Sequence, residues 1–180
     1  MSISIKQLTQ MALLAAISII LVFLVRFPII PIAPFLEYTP GDVPIFVAAF
    51  LYKPVAALIL GVVTAVLQGI TVSAHSGPVG IMMNIFSFGS YVLVASFVYK
   101  RLKSNTGIIV AMVAGSVATI VAMIGFNLIF TPIFMGVPRE VVVQMILPAI
   151  LPFNVIRAGV NSVITFVILR VILLYIKPTH

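Results

Sequence analysis

Four stretches of this chain, Gln7 to Phe27, Val79 to Tyr99, Gly107 to Phe130 and Leu147 to Ile176, are apolar over the roughly 20 residues a helix needs to cross a bilayer. Inside hydrocarbon every backbone N–H and C=O must find its partner within the protein, so runs of this kind fold as helices. With 63% of the 180 residues hydrophobic and 7% charged, there is no room for an additional soluble domain, and residues 1–180 read as one membrane domain. The first run is too long for the apolar core of a signal peptide and lacks a small-residue cleavage site, so it reads as a retained helix.

The segment "GDVPIFVAAFLYKPVAALILGVVTAVLQGI" is either one long helix or two helices broken at Lys53-Pro54. Charge decides between them. Two helices give six spans, with Lys6, Lys53, Lys100, Arg101, Lys103, Arg170 and Lys177 on one side and the three acids, Glu37, Asp42 and Glu140, on the other. One helix gives five spans and places the cluster "YKRLK" outside, opposite a cytoplasmic loop "VSAHSGPVG" with no Lys or Arg, against the positive-inside rule. The expected fold is therefore all-α and integral to the membrane, with six transmembrane helices and both termini cytoplasmic.

The second of these helices, Val43 to Tyr52, reaches only about 15 Å against a hydrocarbon core of about 30 Å. Such a segment is tolerated where protein or a cavity shields its backbone, which points to a binding site near the outer face. The loop before it, "RFPIIPIAPFLEYTPGD", carries four prolines and is expected to be stiff and extended, placed to act as a lid.

At 100° per residue Asn154, Arg157 and Asn161 fall within about 60° of one another on one face of the last helix. Intramembrane Arg residues face a protein interior or a wet cavity, or snorkel from near a helix end. The stripe is thus either a binding surface or an interfacial anchor with two amides joining helices. Gln68, Asn84 and Asn127 lie at similar depth on three other helices. Together with Asn154 and Arg157 they would converge on one outward-facing pocket. Met82, Met83, Phe86, Phe126 and Phe153 would line it, suiting a flat heteroaromatic molecule with hydrogen-bonding edges.

The absence of cysteine excludes disulfides, thiolate metal sites and cysteine nucleophiles. The net charge of +7 is spread singly or in "YKRLK" between apolar runs, a pattern for loops beside anionic lipid and not for nucleic acid. No enzyme signature stands out. There is no paired-carboxylate motif, no HExxH and no Walker A loop, and the Ser and His of "SAHSGPVG" are turn neighbours with no acid nearby in sequence. No metal site or cofactor is expected. A self-sufficient facilitator would need a continuous polar path, for which the inner halves of these helices are too apolar.

The segments "GDVPIFVAAFLYKPVAALILGVVTAVLQGI", "SGPVGIMMNIFSFGS" and "ILPFNVIRAGVNSVI" together resemble the riboflavin-specific S-component, the RibU type, of bacterial energy-coupling factor (ECF) vitamin transporters. The likeness runs from Ala12 to Lys177, and "LPFN" followed three residues on by a basic residue is its most specific feature. The resemblance implies a six-helix protein of the bacterial cytoplasmic membrane that binds one vitamin between outer loops and helix ends. It assigns substrate contacts to Asn154, Arg157, Asn127, Asn84 and Gln68, with Tyr38 of the outer loop beside them. Arg157 stands where that family typically has Lys, which keeps the charge and changes its shape. The loop "LEYTPGDVP" keeps Asp42 and carries Glu37 in place of the usual Lys.

The resemblance also gives the first helix a use. "MALLAAIS" places Ala12 and Ala16 four residues apart on one face, where another backbone can approach closely. S-components dock such a face on a transmembrane coupling subunit, which joins two ATPase subunits; the S-component is thought to topple in the membrane to release its ligand. On spacing alone internal packing is the favoured reading, because "AMVAGSVA", with Ala111 and Gly115, has the same feature.

Overall fold

The computed structural model describes residues 4–175; Ile176 of the last predicted span and Lys177 lie outside them. Helix α1 (Ile5–Leu24) starts at Ser4, whose hydroxyl accepts the Gln7 N–H. It buries only Met11, Ala15, Ser18 and Val22, a single stripe at alternating four- and three-residue steps, so it leans on the bundle and leaves the rest of its surface outward.

The loop after α1 is stiff but not extended. Pro31 and Pro34 each take the second position of a tight turn, closed by Ala33 N–H to Ile30 O and Leu36 N–H to Ala33 O at 3.0 and 2.9 Å. Their fixed φ suits that position. A short antiparallel pair, β1 (Phe27–Pro28) with β2 (Glu37–Tyr38), closes the base, and Ala33 and Leu36 pack on Val142, Ala149 and Phe153. The expectation of an extended loop fails because two prolines preset turns.

The chain then dips into the bundle. Gly41 O accepts a hydrogen bond from the Ser18 hydroxyl, well below the top of α1. A Cβ at Gly41 would sit 2.2 Å from Val22 Cγ2, so glycine alone permits this approach. Helix α2 (Val43–Leu51) therefore starts at depth, and its nine residues need to cover only the remaining thickness. All nine are buried, enclosed by α1, α3, α4 and α7. Phe46 stacks on Tyr91 with centroids 3.5 Å apart, and the Ser96 hydroxyl donates to Ala49 O.

The break at Lys53-Pro54 occurs as expected: Lys53 is extended, and Pro54 opens α3 (Pro54–Ile70). Helices α4 (Gly77–Leu102) and α5 (Asn105–Met135) form the most extensive pairing in the bundle. Ala111 and Gly115 serve it, since a Cβ on Gly115 would lie 3.0 Å from Ala95 Cβ. Ala12 and Ala16 do the opposite and are exposed on the outer side of α1.

The last span is longer than the run Leu147 to Ile176 suggests. Helix α6 (Arg139–Met145) passes through a π-helical segment, Ile146–Ile150, directly into α7 (Leu151–Tyr175). Pro148 and Pro152 each lack an N–H for the ordinary helical ladder, and the Leu151 N–H reaches back to Ile146 O, which widens the turn. The result is four long apolar spans and two shorter apolar helices. Lys6, Lys53, Lys100, Arg101, Lys103 and Arg170 mark one end, and Glu37, Asp42 and Glu140 belong to the other.

The basic end is expected to face the cytoplasm. In this cysteine-free chain, Lys53→Cys should react with an impermeant thiol reagent only after permeabilisation, and Glu140→Cys in intact cells. Labelling of position 53 in intact cells would sink the proposed orientation.

Candidate functional site

At the acidic end a cavity opens between the loop before α2, the C-terminal ends of α1, α3 and α5, and the N-terminal ends of α4 and α7. Gln68, Asn84, Asn127, Asn154 and Arg157 all line it, so one cavity gathers polar side chains from four helices. Each is placed by local geometry. On α5, Met123, Asn127 and Thr131 recur every four residues and face inward together. On α7 the three-residue step from Asn154 to Arg157 puts both on the same wall.

The hydrogen bonds divide these groups into anchored and open atoms. Gln68 Nε2 donates to the Ser18 hydroxyl at 2.9 Å, and Asn84 Nδ2 donates to Gln68 Oε1 at 3.3 Å. This chain ties the cavity wall through Ser18 to Gly41 at the root of the loop. Asn127 Nδ2 donates to Met123 O, while its Oδ1 accepts the Thr131 hydroxyl at 2.8 Å. Asn154 Nδ2 donates to Ile150 O at 2.8 Å, which leaves Oδ1 as its available acceptor.

Arg157 is no interfacial anchor. Its Nε and Nη2 donate to the two carboxylate oxygens of Asp42 at 2.8 and 2.7 Å, and the side chains are 15% and 4% exposed. The fork leaves Nη1 outside the pair with Asp42, on a residue that lines the cavity. Asn161, the third member of the stripe, is fully buried and lies outside the cavity lining. Its Nδ2 donates to Asp42 Oδ2 and Thr39 O, and its Oδ1 accepts the Tyr38 hydroxyl at 2.9 Å.

Tyr38 is thus part of the support, not of the lining. Burial, with the Asp42 carboxylate beside it, holds its hydroxyl above the ordinary phenol range against the opposing pull of Arg157, so it remains a donor.

The apolar walls differ from the expected set. Met83 and Phe153 line the cavity, joined by Val22, Leu36, Met123 and Phe134. Phe86 and Phe126 instead stack on each other, centroids 3.9 Å apart, and Met82 is exposed. Phe126 precedes Asn127 and Met82 precedes Met83, and one residue turns a helical side chain by about 100°, off the cavity face.

Sequence reasoning missed Arg26, Glu37, Ser73 and Ser76, which line the mouth. Arg26 Nη2 donates to the Ser73 hydroxyl at 2.6 Å, and Glu37 Oε2 lies 3.6 Å from Arg26 Nε and 3.3 Å from His75 Nε2. The acid that "SAHSGPVG" lacked in sequence therefore arrives from the loop before α2. With Ser73 held by Arg26, the group is a polar tie across the mouth and makes no catalytic triad.

A membrane bundle with a polar cavity among apolar walls at one end has the build of a membrane protein that takes up a small ligand. The profile of the family described as "ECF transporter, substrate-specific component" matches residues 6–169, and this chain belongs to that family. It is a multi-pass membrane transport protein and not an enzyme; proteins of this class pair with an energising module.

Among curated relatives, "Riboflavin transporter FmnP" of Bacillus subtilis (strain 168) is 26% identical over 152 residues, 80% of this chain and 78% of the relative. "Riboflavin transporter RibU" of Staphylococcus aureus (strain TCH60) is 28% identical over 153 residues, 81% and 79% of the two chains. A solved structure described as the S component of a bacterial ECF transporter superposes with a TM-score of 0.82 at 27% identity, covering 96% of this chain and 98% of that one. The S-component for biotin from an ECF-type ABC transporter shares the fold, with a TM-score of 0.59 at 20% identity over 94% and 95% of the two chains.

Proposed function

We propose that the chain is the riboflavin-binding S-component of an ECF-type importer, capturing riboflavin from outside and delivering it inward with a coupling subunit and two ATPase subunits. The observation that carries this reading is the convergence of Gln68, Asn84, Asn127, Asn154 and Arg157 on one apolar-walled cavity. Amide groups and one guanidinium nitrogen suit the donor and acceptor edge of a flat ring, and Met and Phe suit its faces. Charge agrees: Arg157 is neutralised by Asp42 and Arg26 by Glu37, so the site favours an uncharged ligand. Both curated relatives carry the name of riboflavin transporters.

Phe46, Phe50 and Tyr91, each no more than 1% exposed, fill the bundle around α2, so the ligand has no static path past these rings. Delivery therefore requires movement of the protein with its partners. Protein purified from cells fed riboflavin should carry flavin absorbance, and ligand-free protein should titrate with riboflavin. Folded protein that binds another vitamin and not riboflavin would overturn the substrate.

The exposed Ala12 and Ala16 offer the coupling subunit a smooth helix face that internal packing does not consume. Ala12→Leu and Ala16→Leu should reduce co-purification with the coupling subunit and leave riboflavin titration unchanged. Assembly at the wild-type level in both variants would place docking elsewhere.

A further inference from the structure

A second depression lies at bilayer depth on the outside of the bundle, between α5 and α7. Its floor is the buried Met112 and the hydroxyls of Ser116 and Ser162, which bond each other at 2.9 Å and so offer little to a polar ligand. Its rims are exposed apolar side chains: Ile109, Val113 and Val117 on one side, Val163 on the other. Gly159 keeps one end open, because a Cβ there would meet nothing within 4 Å. At the opposite end Phe166 closes the groove, and the Arg170 guanidinium lies over its ring at 5.2 Å.

We propose that this groove binds one acyl chain of an anionic phospholipid, with the phosphate held by Arg170. The depth fits: Ile109 to Val117 spans about 12 Å of helix, against about 15 Å for one leaflet's share of the hydrocarbon core. A partner helix would call for a seat across the whole membrane, whereas this one stops near mid-depth.

The charge fits as well. Arg170 is exposed and sits at the end of the bundle that holds Lys6, Lys53, Lys100, Arg101 and Lys103, while all three acids belong to the other end. Among the described residues no Asp or Glu is placed to neutralise it, and a lipid phosphate at the interface is the anion that a groove-bound acyl chain delivers there. Arg101, over Phe97 at 4.8 Å, is a second cation with an aromatic partner and lies apart from this groove's lining, which makes it a control.

The chain has no tryptophan, so Val117→Trp supplies a single reporter at the inner end of the groove. It is reconstituted in vesicles of equal phosphatidylglycerol and phosphatidylcholine content, with bromine on the acyl chains of one lipid or the other. Brominated phosphatidylglycerol should quench it with an apparent affinity roughly fivefold that of brominated phosphatidylcholine. The preference should fall to about one in Arg170→Gln and, with Arg170 intact, in Gly159→Phe, which fills the groove.

Arg101→Gln should retain the preference, and a reporter at Leu13→Trp on the outer face of α1 should show none. Circular dichroism confirms that each variant is folded. Equal quenching by the two lipids overturns the site, as does a preference that survives Arg170→Gln or disappears equally in Arg101→Gln. Gly159→Phe that instead prevents assembly with the coupling subunit, without any headgroup preference in the parent, gives the groove to a protein and overturns it too.

Discussion

Asp42→Asn is expected to destabilise the folded protein by about 3–5 kcal/mol, because it leaves the Arg157 guanidinium buried without its counter-charge. Both oxygens of Asp42 take part: Oδ1 receives Arg157 Nη2, and Oδ2 receives Arg157 Nε and Asn161 Nδ2 at 2.8 and 3.1 Å. An asparagine amide would turn its own N–H groups toward one of these donors. Asp42 also immediately precedes α2, so losing it frees the start of the one helix buried on every side.

Glu37→Gln makes the contrast. Its pair with Arg26 is longer, at 3.6 Å, and the side chains are 20% and 32% exposed, so the loss should stay below about 1 kcal/mol. Arg157→Lys should recover only part of the stability, since an ammonium cannot make the two-bond fork. The double variant Asp42→Leu with Arg157→Met should be more stable than Asp42→Asn, having removed both charges together. Melting curves in detergent rank all four. Asp42→Asn melting with wild type would show that the pair does not hold the loop to the bundle.

The same pair shows where sequence reading stops. Arg157 was legible as a cation that either faces inward or snorkels from a helix end, because hydrocarbon gives a helix-borne charge few other places to go. Its partner was not, because Asp42 lies 115 residues away in a loop and no period links them. The break at Lys53-Pro54 was legible because the charge rule tolerates one span count and not the other, and the break then appears where proline opens α3.

Asn127 and Asn154 were legible at the cavity because helical spacing and depth fix a direction for each. The rings of Phe86 and Phe126 were misplaced because a neighbour in sequence is not a neighbour on the helix face. Ala12 and Ala111 carry identical spacing signals and point to opposite sides of their helices' environments, one outward and one into the bundle. Spacing names a smooth face and leaves open what covers it.

Asn154→Leu should weaken riboflavin binding by about 1–3 kcal/mol, a loss of roughly fivefold to more than a hundredfold, with little loss of stability. The two halves of the amide make the separation possible. Nδ2 bonds Ile150 O, a helix carbonyl whose backbone partner lies within the same helix, so its removal costs the fold little. Oδ1 is the half left for a ligand, and leucine would leave a ligand donor facing it unpaired.

Tyr38→Phe should behave in the reverse way. It removes the donor to Asn161 Oδ1 at a buried junction outside the cavity lining, so stability falls by about 1–2 kcal/mol while the affinity of folded protein holds. Isothermal titration beside a melting curve for each variant places them on two separate axes. If Asn154→Leu moves the melting temperature and not the affinity, Asn154 belongs with Asn161 as support, and the ligand edge must be read by Arg157, Asn84, Asn127 and Gln68.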